Sequence, residues 1–178
     1  MYKYGKVINM FNFIRLACAV PDVEVGNTEF NTQEIIKYID INKDADVIVF
    51  PELCVTGYTC ADLFFQKTLI DGAKKGIAEI VRTTKDSNSV VAVGAPLIIA
   101  GQLYNCAVVM SHGMVNGIAV KTFIPTYNEY YEKRWFSSAA DLKCASISSK
   151  ELMLDGDYEI PVGNNLVFNC SGVKIGVE

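Results

Sequence analysis

Two ionisable residues of opposite charge each follow an apolar, strand-like run. Asp46-Val-Ile-Val-Phe50 turns at Pro51 and presents Glu52. Met114–Val120 ends in Lys121. In open α/β sheets, reactive groups gather beyond the carboxyl ends of strands. A carboxylate there, with Phe50, Leu53 and Val55 beside it, is expected in a dry pocket. Burial raises a carboxyl pKa towards the range of a general base. The plain alternative is a surface acid after a strand. A Glu–Lys pair kept only for structure would be ambiguous evidence even for stability. These residues alone leave the readings open.

Other chemistries find less support. The single histidine, His112, falls at the Ser111-His112-Gly113 turn, so Ser/His/Asp and Cys/His catalysis have no evident base. The six cysteines, at 18, 54, 60, 106, 144 and 170, form no C-x-x-C pair, and one histidine completes no metal site of usual spacing. No metal is expected. Most of the cysteines lie in apolar runs and read as reduced, buried thiols of a cytoplasmic protein. A net charge of −4 gives no sign of nucleic-acid binding. No apolar run reaches the ~18 residues of a membrane span. Lys3, Lys6 and Phe11–Val20 faintly resemble a signal peptide, but Arg15 interrupts the stretch, and Phe13–Val20 reads equally well as a first strand.

The elements that must position Glu52 and Lys121 follow from periodicity. With 178 residues, 51% of them hydrophobic and 20% charged, the chain suits one domain, or most of one, around a sheet covered on both faces. Thr28 is placed to cap a helix whose Ile35, Ile36 and Ile39 share a face. Asp46–Phe50 is a buried strand. Asp62 is read as the cap of a helical region to about Thr84, interrupted near Asp71-Gly72. Ser89–Ile99 is a further strand, with Gly94 and Pro96 marking its end. Leu103–Met110 and Met114–Val120 form a hairpin. Residues 137–157 read as an insertion or long mobile loop, closed by Ile160-Pro161-Val162-Gly163. Asn165–Cys170 and Val173–Glu178 make a last hairpin around Ser171-Gly172. The order is α/β with a mixed sheet. Lys121–Phe136, KTFIPTYNEYYEKRWF, fits either a solvated helix with aromatic anchors or a pocket-lining loop.

Three stretches carry a resemblance. FPELCVTGYTCADLF (50–64), LYNCAVVMSHGMVNGIAVK (103–121) and KTFIPTYNEYYEKRWF (121–136) resemble the carbon–nitrogen hydrolase (nitrilase) superfamily. Within it they are most similar to the N-terminal glutaminase domains of glutamine-dependent NAD(+) synthetases. IPVGNNLVF and VKIGVE continue the likeness to the last residue. The resemblance implies a nitrilase-like α-β-β-α sandwich with mixed sheets and a Glu–Lys–Cys mechanism. Glu52 takes the place of the general base and Lys121 that of the lysine facing the oxyanion. Glu132 matches a second glutamate that holds the lysine. Tyr58 and Tyr127 match aromatics that line the glutamine pocket. Thr126 departs from the asparagine usual before that tyrosine.

The family's nucleophile follows a Gly-Val-Glu-x-Cys pattern. Gly176-Val177-Glu178 matches its beginning, so the resemblance places that cysteine two residues beyond Glu178, and Cys170 precedes the final strand. The expectation is the N-terminal part of a glutaminase domain, residues 1–178, inactive by itself and incomplete at its C-terminus. Glutamine and the parent's own ligase domain are its implied partners. No cofactor belongs to this part; ATP and magnesium belong to the ligase domain. A free-standing nitrilase-type amidase and a non-catalytic module on the same fold are the rivals. A sandwich without its last section exposes an apolar face and a strand edge. Self-association to a homo-oligomer is therefore expected, and a concentration-independent monomer by light scattering would contradict it.

Overall fold

A computed structural model of the chain describes residues 13–177. The lysines at 3 and 6, the start of the Phe11–Val20 stretch and Glu178 lie outside the described residues. Seven strands form one mixed sheet: β1 (Leu16–Cys18), β2 (Val47–Val49), β3 (Val90–Ile99), β4 (Gln102–Ser111), β5 (Met114–Val120), β6 (Ser146–Ser148) and β7 (Glu159–Gly163). Their order is β1-β2-β3-β4-β5-β7-β6. β1, β2 and β3 run parallel, β3, β4 and β5 form an antiparallel meander, and β7 returns parallel to β5. A separate two-stranded sheet, β8 (Val167–Cys170) with β9 (Val173–Gly176), completes the strands.

Alternation along the strands defines the layers. Val91, Val93, Ala95, Leu97 and Ile99 of β3 enter a core with Ile35 and Ile39 of α1 (Thr28–Ile41) and Ala73, Ile77, Ile80 and Val81 of α2 (Lys67–Thr83). Val90 and Ala92 face the other way, towards a cavity shared with Phe168, Val173 and Ile175 of the β8–β9 hairpin. The described residues thus stack helices, sheet and hairpin in an α-β-β order. Among the described residues no helix is long and apolar enough to cross a membrane.

Several expectations need correction. Asn27, not Thr28, caps α1, its side-chain oxygen accepting from the Phe30 N–H at 3.1 Å. Gly72 does not interrupt α2. It and Gly76 lie one turn apart, where an added Cβ would collide with the hydroxyls of Thr28 and Thr32 on α1. They are bare so that two helices can meet. The break lies earlier, at Gln66, whose extended backbone separates a 3-10 turn (Ala61–Phe65) from α2. Asp62 sits inside that turn and caps nothing, because its carboxylate is engaged elsewhere.

Gly94 and Pro96 lie inside β3, not at its end. Proline removes a ladder donor, yet none is missed here. Pro96 pairs with Asn105, whose carbonyl accepts from Lys121 on the far side, so the polar groups of this pair point away from each other. The Pro96 nitrogen therefore turns to the flank where β2 has already ended, at Ala92. Residues 137–157 are not a loose insertion either. Ile147, Ser149 and Leu152 are buried, and the capping box Ser148–Glu151 closes a 3-10 turn (Ser149–Leu152) packed on α2. Hydrophobic residues spaced among polar ones hid these short elements. The hairpin turns behave as expected: His112 and Gly113 take φ of 50° and 75°, and His112 is exposed.

Gly94 bears most directly on the position of Glu52. A Cβ there would strike the backbone nitrogen of Leu53 and the carbonyl of Pro51. Backbone cannot step aside as a side chain can. Gly94→Ala is expected to cost about 1–3 kcal/mol or more and to displace the Glu52 turn. A urea midpoint equal to that of the unsubstituted protein would contradict the close approach.

Candidate active site

The Glu52 turn leaves β2 through Phe50, whose N–H reaches the Ala92 carbonyl at 2.9 Å. The Gly94 carbonyl then receives the Val55 N–H at 3.2 Å and the Cys54 thiol at 3.6 Å. Leu53 adopts φ 51°, an uncommon conformation for a branched residue. Its side chain is fully buried and supplies the reason. It packs in a small second core with Cys60, Phe64, Leu69, Ile124 and Phe136. That core joins the turn to the 121–136 segment. With Leu53 drawn inwards, Glu52 is left at the strand mouth.

Lys121 follows β5 and is fixed on both sides of its peptide. Its N–H donates to the Asn105 carbonyl at 3.0 Å, and its own carbonyl accepts from the Ala139 N–H at 3.0 Å. Glu132 opens a 3-10 turn (Glu132–Arg134). Its carbonyl accepts from the N–H groups of Trp135 and Phe136 at 3.0 and 2.8 Å. Lys121–Phe136 is therefore a loop around one short turn, closer to the pocket-lining reading than to a solvated helix.

These elements bring one cation between two anions. Lys121 Nζ donates to Glu52 Oε1 at 2.6 Å and to Glu132 Oε1 and Oε2 at 3.1 and 2.9 Å. Tyr58 OH donates to Glu132 Oε1 at 2.6 Å. Asn105 Nδ2 also donates to Glu52 Oε1. The Glu132 side chain is only 3% exposed, whereas that of Glu52 is 42% exposed. The dry setting expected for Glu52 is thus wrong. The neighbouring apolar side chains point into the two cores, and the carboxylate stands at an open mouth.

Burial alone would lower the Lys121 pKa, but hydrogen bonds to Glu52 and Glu132 outweigh it and the net shift is upward. The ammonium is therefore charged at neutral pH. Its contribution to stability is complete below the ordinary lysine pKa and fades only in alkali. Burial, then the bond to Glu132, pushes the Tyr58 phenol up. It remains a donor.

Glu52 and Lys121 border a cavity of about 250 Å³, floored by small residues such as Ala92, Gly94 and Ala107. Val177, next after β9, borders the same cavity. Tyr127 does not join the cluster. It is 64% exposed, stands edge-on to Tyr130 with ring centroids 5.7 Å apart, and lines a neighbouring cavity that has Lys121 as a shared wall. Thr126 lines that second cavity too.

Three buried cysteines, Cys54, Cys60 and Cys106, do not read as activated thiols. Burial pushes the Cys54 thiol up to about 12 and raises Cys60 as well. Cys106 borders the cavity but packs in the core that faces the helices, and complete burial raises it strongly. A nucleophilic cysteine needs the opposite shift. Cys18 is exposed, and Cys144 is half-buried, so burial is not general among the six.

Sequence reasoning missed Asn105 and misread Asp62. Asn105 is a polar residue just before the apolar run Cys106–Met110, which was the available signal, and in the structure it is 3% exposed. Asp62 accepts two bonds from Arg134, both 2.8 Å, and one from Trp135 Nε1 at 3.0 Å. It thereby ties the 61–65 turn to the turn that carries Glu132. The bonds from Arg134, then that from Trp135, hold the Asp62 carboxyl well below the usual range. A lowered carboxyl pKa stabilises above the ordinary aspartate value and loses that effect as pH falls through the folded one. Asp62→Asn should therefore lower the melting temperature at pH 7, with the deficit shrinking as the pH drops below about 4. A deficit unchanged down to pH 2 would show that the clamp does not act through charge.

Comparison with known proteins places the chain in a family. Residues 16–178 match the carbon–nitrogen hydrolase family. A glutamine-dependent NAD(+) synthetase of Mycobacterium leprae is 31% identical over 171 residues, spanning 93% of this chain and 24% of that protein. One from Mycobacterium tuberculosis is 34% identical over 161 residues, 89% of this chain and 23% of that protein. The chain thus spans about a quarter of the length of these relatives. The crystal structure of a glutamine-dependent NAD(+) synthetase from Cytophaga hutchinsonii superposes with a TM-score of 0.78 at 29% identity, over 92% of this chain and 27% of that one. A carbon–nitrogen hydrolase from Helicobacter pylori shares the fold, with a TM-score of 0.55 at 18% identity over 70% of this chain and 45% of that one. On this match the chain belongs to the carbon–nitrogen hydrolase family.

Proposed function

We propose that this chain is the glutamine-hydrolysing part of a glutamine-dependent NAD(+) synthetase, supplying ammonia for the amidation of deamido-NAD. One observation carries the reading: a single ammonium, Lys121, held by Glu52 and Glu132 on the wall of the cavity that Val177 also borders. The relatives' identity points to the same class.

The chemistry sets a task for each group. An amide is a poor electrophile, and covalent catalysis divides its hydrolysis into two easier steps. The nucleophile in this reading is the cysteine of the Gly-Val-Glu-x-Cys pattern. Val177 supports that assignment, because it borders the same cavity as Glu52. The Glu52 carboxylate takes the thiol proton as the sulfur–carbon bond forms. The amide π electrons move to oxygen, and Lys121 faces the resulting oxyanion as a fixed cation. The carbon–nitrogen bond then breaks, and Glu52 returns its proton to the departing ammonia. Water attacks the thioester in the second half, with Glu52 again as base. It releases glutamate and restores the thiol.

Glu132 carries no proton in this scheme. It balances Lys121, so that a cation close to the reacting carbon is neither unpaired nor free to wander. Tyr58 fixes Glu132 in turn. Tyr127, on the second cavity, is assigned to the outer part of the glutamine site. ATP and magnesium act in the ligase part of the enzyme, outside this chain.

In the full-length enzyme, Glu52→Gln should abolish glutamine-dependent NAD synthesis by a factor of about 10²–10⁴ and leave ammonia-dependent synthesis intact. Equal loss of both activities would make Glu52 a folding residue and leave the reaction without its base.

A further inference from the structure

We propose that Asn105 is the positioning residue that fixes which oxygen of Glu52 handles the proton. The inference rests on the proposed role of Glu52 and goes beyond it. Two donors converge on the same carboxylate oxygen: Lys121 Nζ and Asn105 Nδ2 both bond Glu52 Oε1. Among the described residues, Glu52 Oε2 makes no hydrogen bond. A carboxylate bound on one side only is oriented, with its second oxygen left for exchange. Oε1 is the held oxygen, and Oε2 is the one that accepts the nucleophile's proton and later returns it to ammonia.

Asn105 suits this task by its place in the sheet. Its carbonyl accepts the Lys121 N–H at 3.0 Å, so one residue secures both the lysine's backbone and the glutamate's side chain. It lies in the ladder between β3 and the end of β5, opposite Pro96. At 3% exposure it is among the few buried polar side chains, and it stands next to the apolar run Cys106–Met110. Leaving an amide there costs free energy unless it is bonded. A leucine of similar size would fill the same space without that cost. An asparagine purely for packing is thus a poor explanation. Lys121 alone would not orient the carboxylate, because the ammonium is shared with Glu132 and a rotating Glu52 could meet it with either oxygen.

The test uses the full-length enzyme and the variants Asn105→Leu and Asn105→Ser, with Glu52→Gln as reference. Glutamine-dependent kcat and KM are measured from pH 5 to 9, beside ammonia-dependent synthesis. For Asn105→Leu, the expected result is a kcat lower by about 10–100-fold with KM within about threefold. The acid limb of the pH profile should move to higher pH, because the ionised carboxylate has lost a donor. Ammonia-dependent synthesis should persist, which reports folding. Asn105→Ser keeps a donor group and should recover part of kcat and of the pH shift; if Asn105→Leu does not fold, Asn105→Ser alone should still show a shifted acid limb. An acid limb unmoved in every folded variant, or a kcat unchanged in Asn105→Leu, overturns the proposal. If Glu52→Gln keeps full glutaminase activity, the base assignment itself fails, and that outcome is separate from the behaviour of Asn105.

Discussion

The structure depends on one ammonium being shared. Lys121 stands between a carboxylate at an open mouth and a carboxylate that is almost wholly buried. Glu132 in that position would be costly without a partner. Lys121 and Tyr58 together offset the cost of its desolvation. The arrangement sets a cation with fixed direction beside a cavity, which is what stabilising a developing oxyanion requires. Glu52 is the exposed member of the set, and exposure suits the proton exchange proposed for it.

Bringing the three groups together is the task of backbone rather than of side chains. Glu52 arrives by a parallel strand, Lys121 by an antiparallel one, and Glu132 by a short turn with no strand of its own. The Gly94 carbonyl and the missing Gly94 Cβ let the first chain pass close over β3. The small core around Leu53, Phe64 and Phe136 fixes the distance between the first and the third. Phe64 meets Phe136 edge-on with centroids 4.9 Å apart and Trp135 at 5.9 Å. The Asp62 clamp lies on the outer side of those same rings. Trp135 and Phe136 of the YEKRWF stretch thus act as anchors, while its one buried acid does the electrostatic work.

Much of this was legible in the sequence, for reasons that differ by residue. Glu52 and Lys121 were visible because each is a charged residue just beyond a strand-like run rich in apolar residues. The β8–β9 hairpin was visible because Ser171-Gly172 is a strong turn signal. Glu132 and Tyr58 were reached only through family resemblance, since nothing local distinguishes Glu132 from Glu129. Asp62 was misread because its sequence position suits a helix cap equally well; only the arrival of Arg134 from 72 residues away decides the matter. Gly94 and Pro96 resembled strand ends because local preference cannot register a second backbone passing overhead. Residues 137–157 hid their order because 3-10 turns and three-residue strands are too short to show a period.

The most direct test is a double-mutant cycle between Lys121 and Glu132, read by urea unfolding at neutral pH. Lys121→Met leaves Glu132 buried with only Tyr58, Glu132→Gln leaves the ammonium without its buried partner, and the double variant removes both charges. The predicted result is a double variant less destabilised than the sum of the singles, with a coupling of about 1–3 kcal/mol. Strict additivity would show that the two side chains do not hold one another, and the shared cation on which the site is built would not exist in solution.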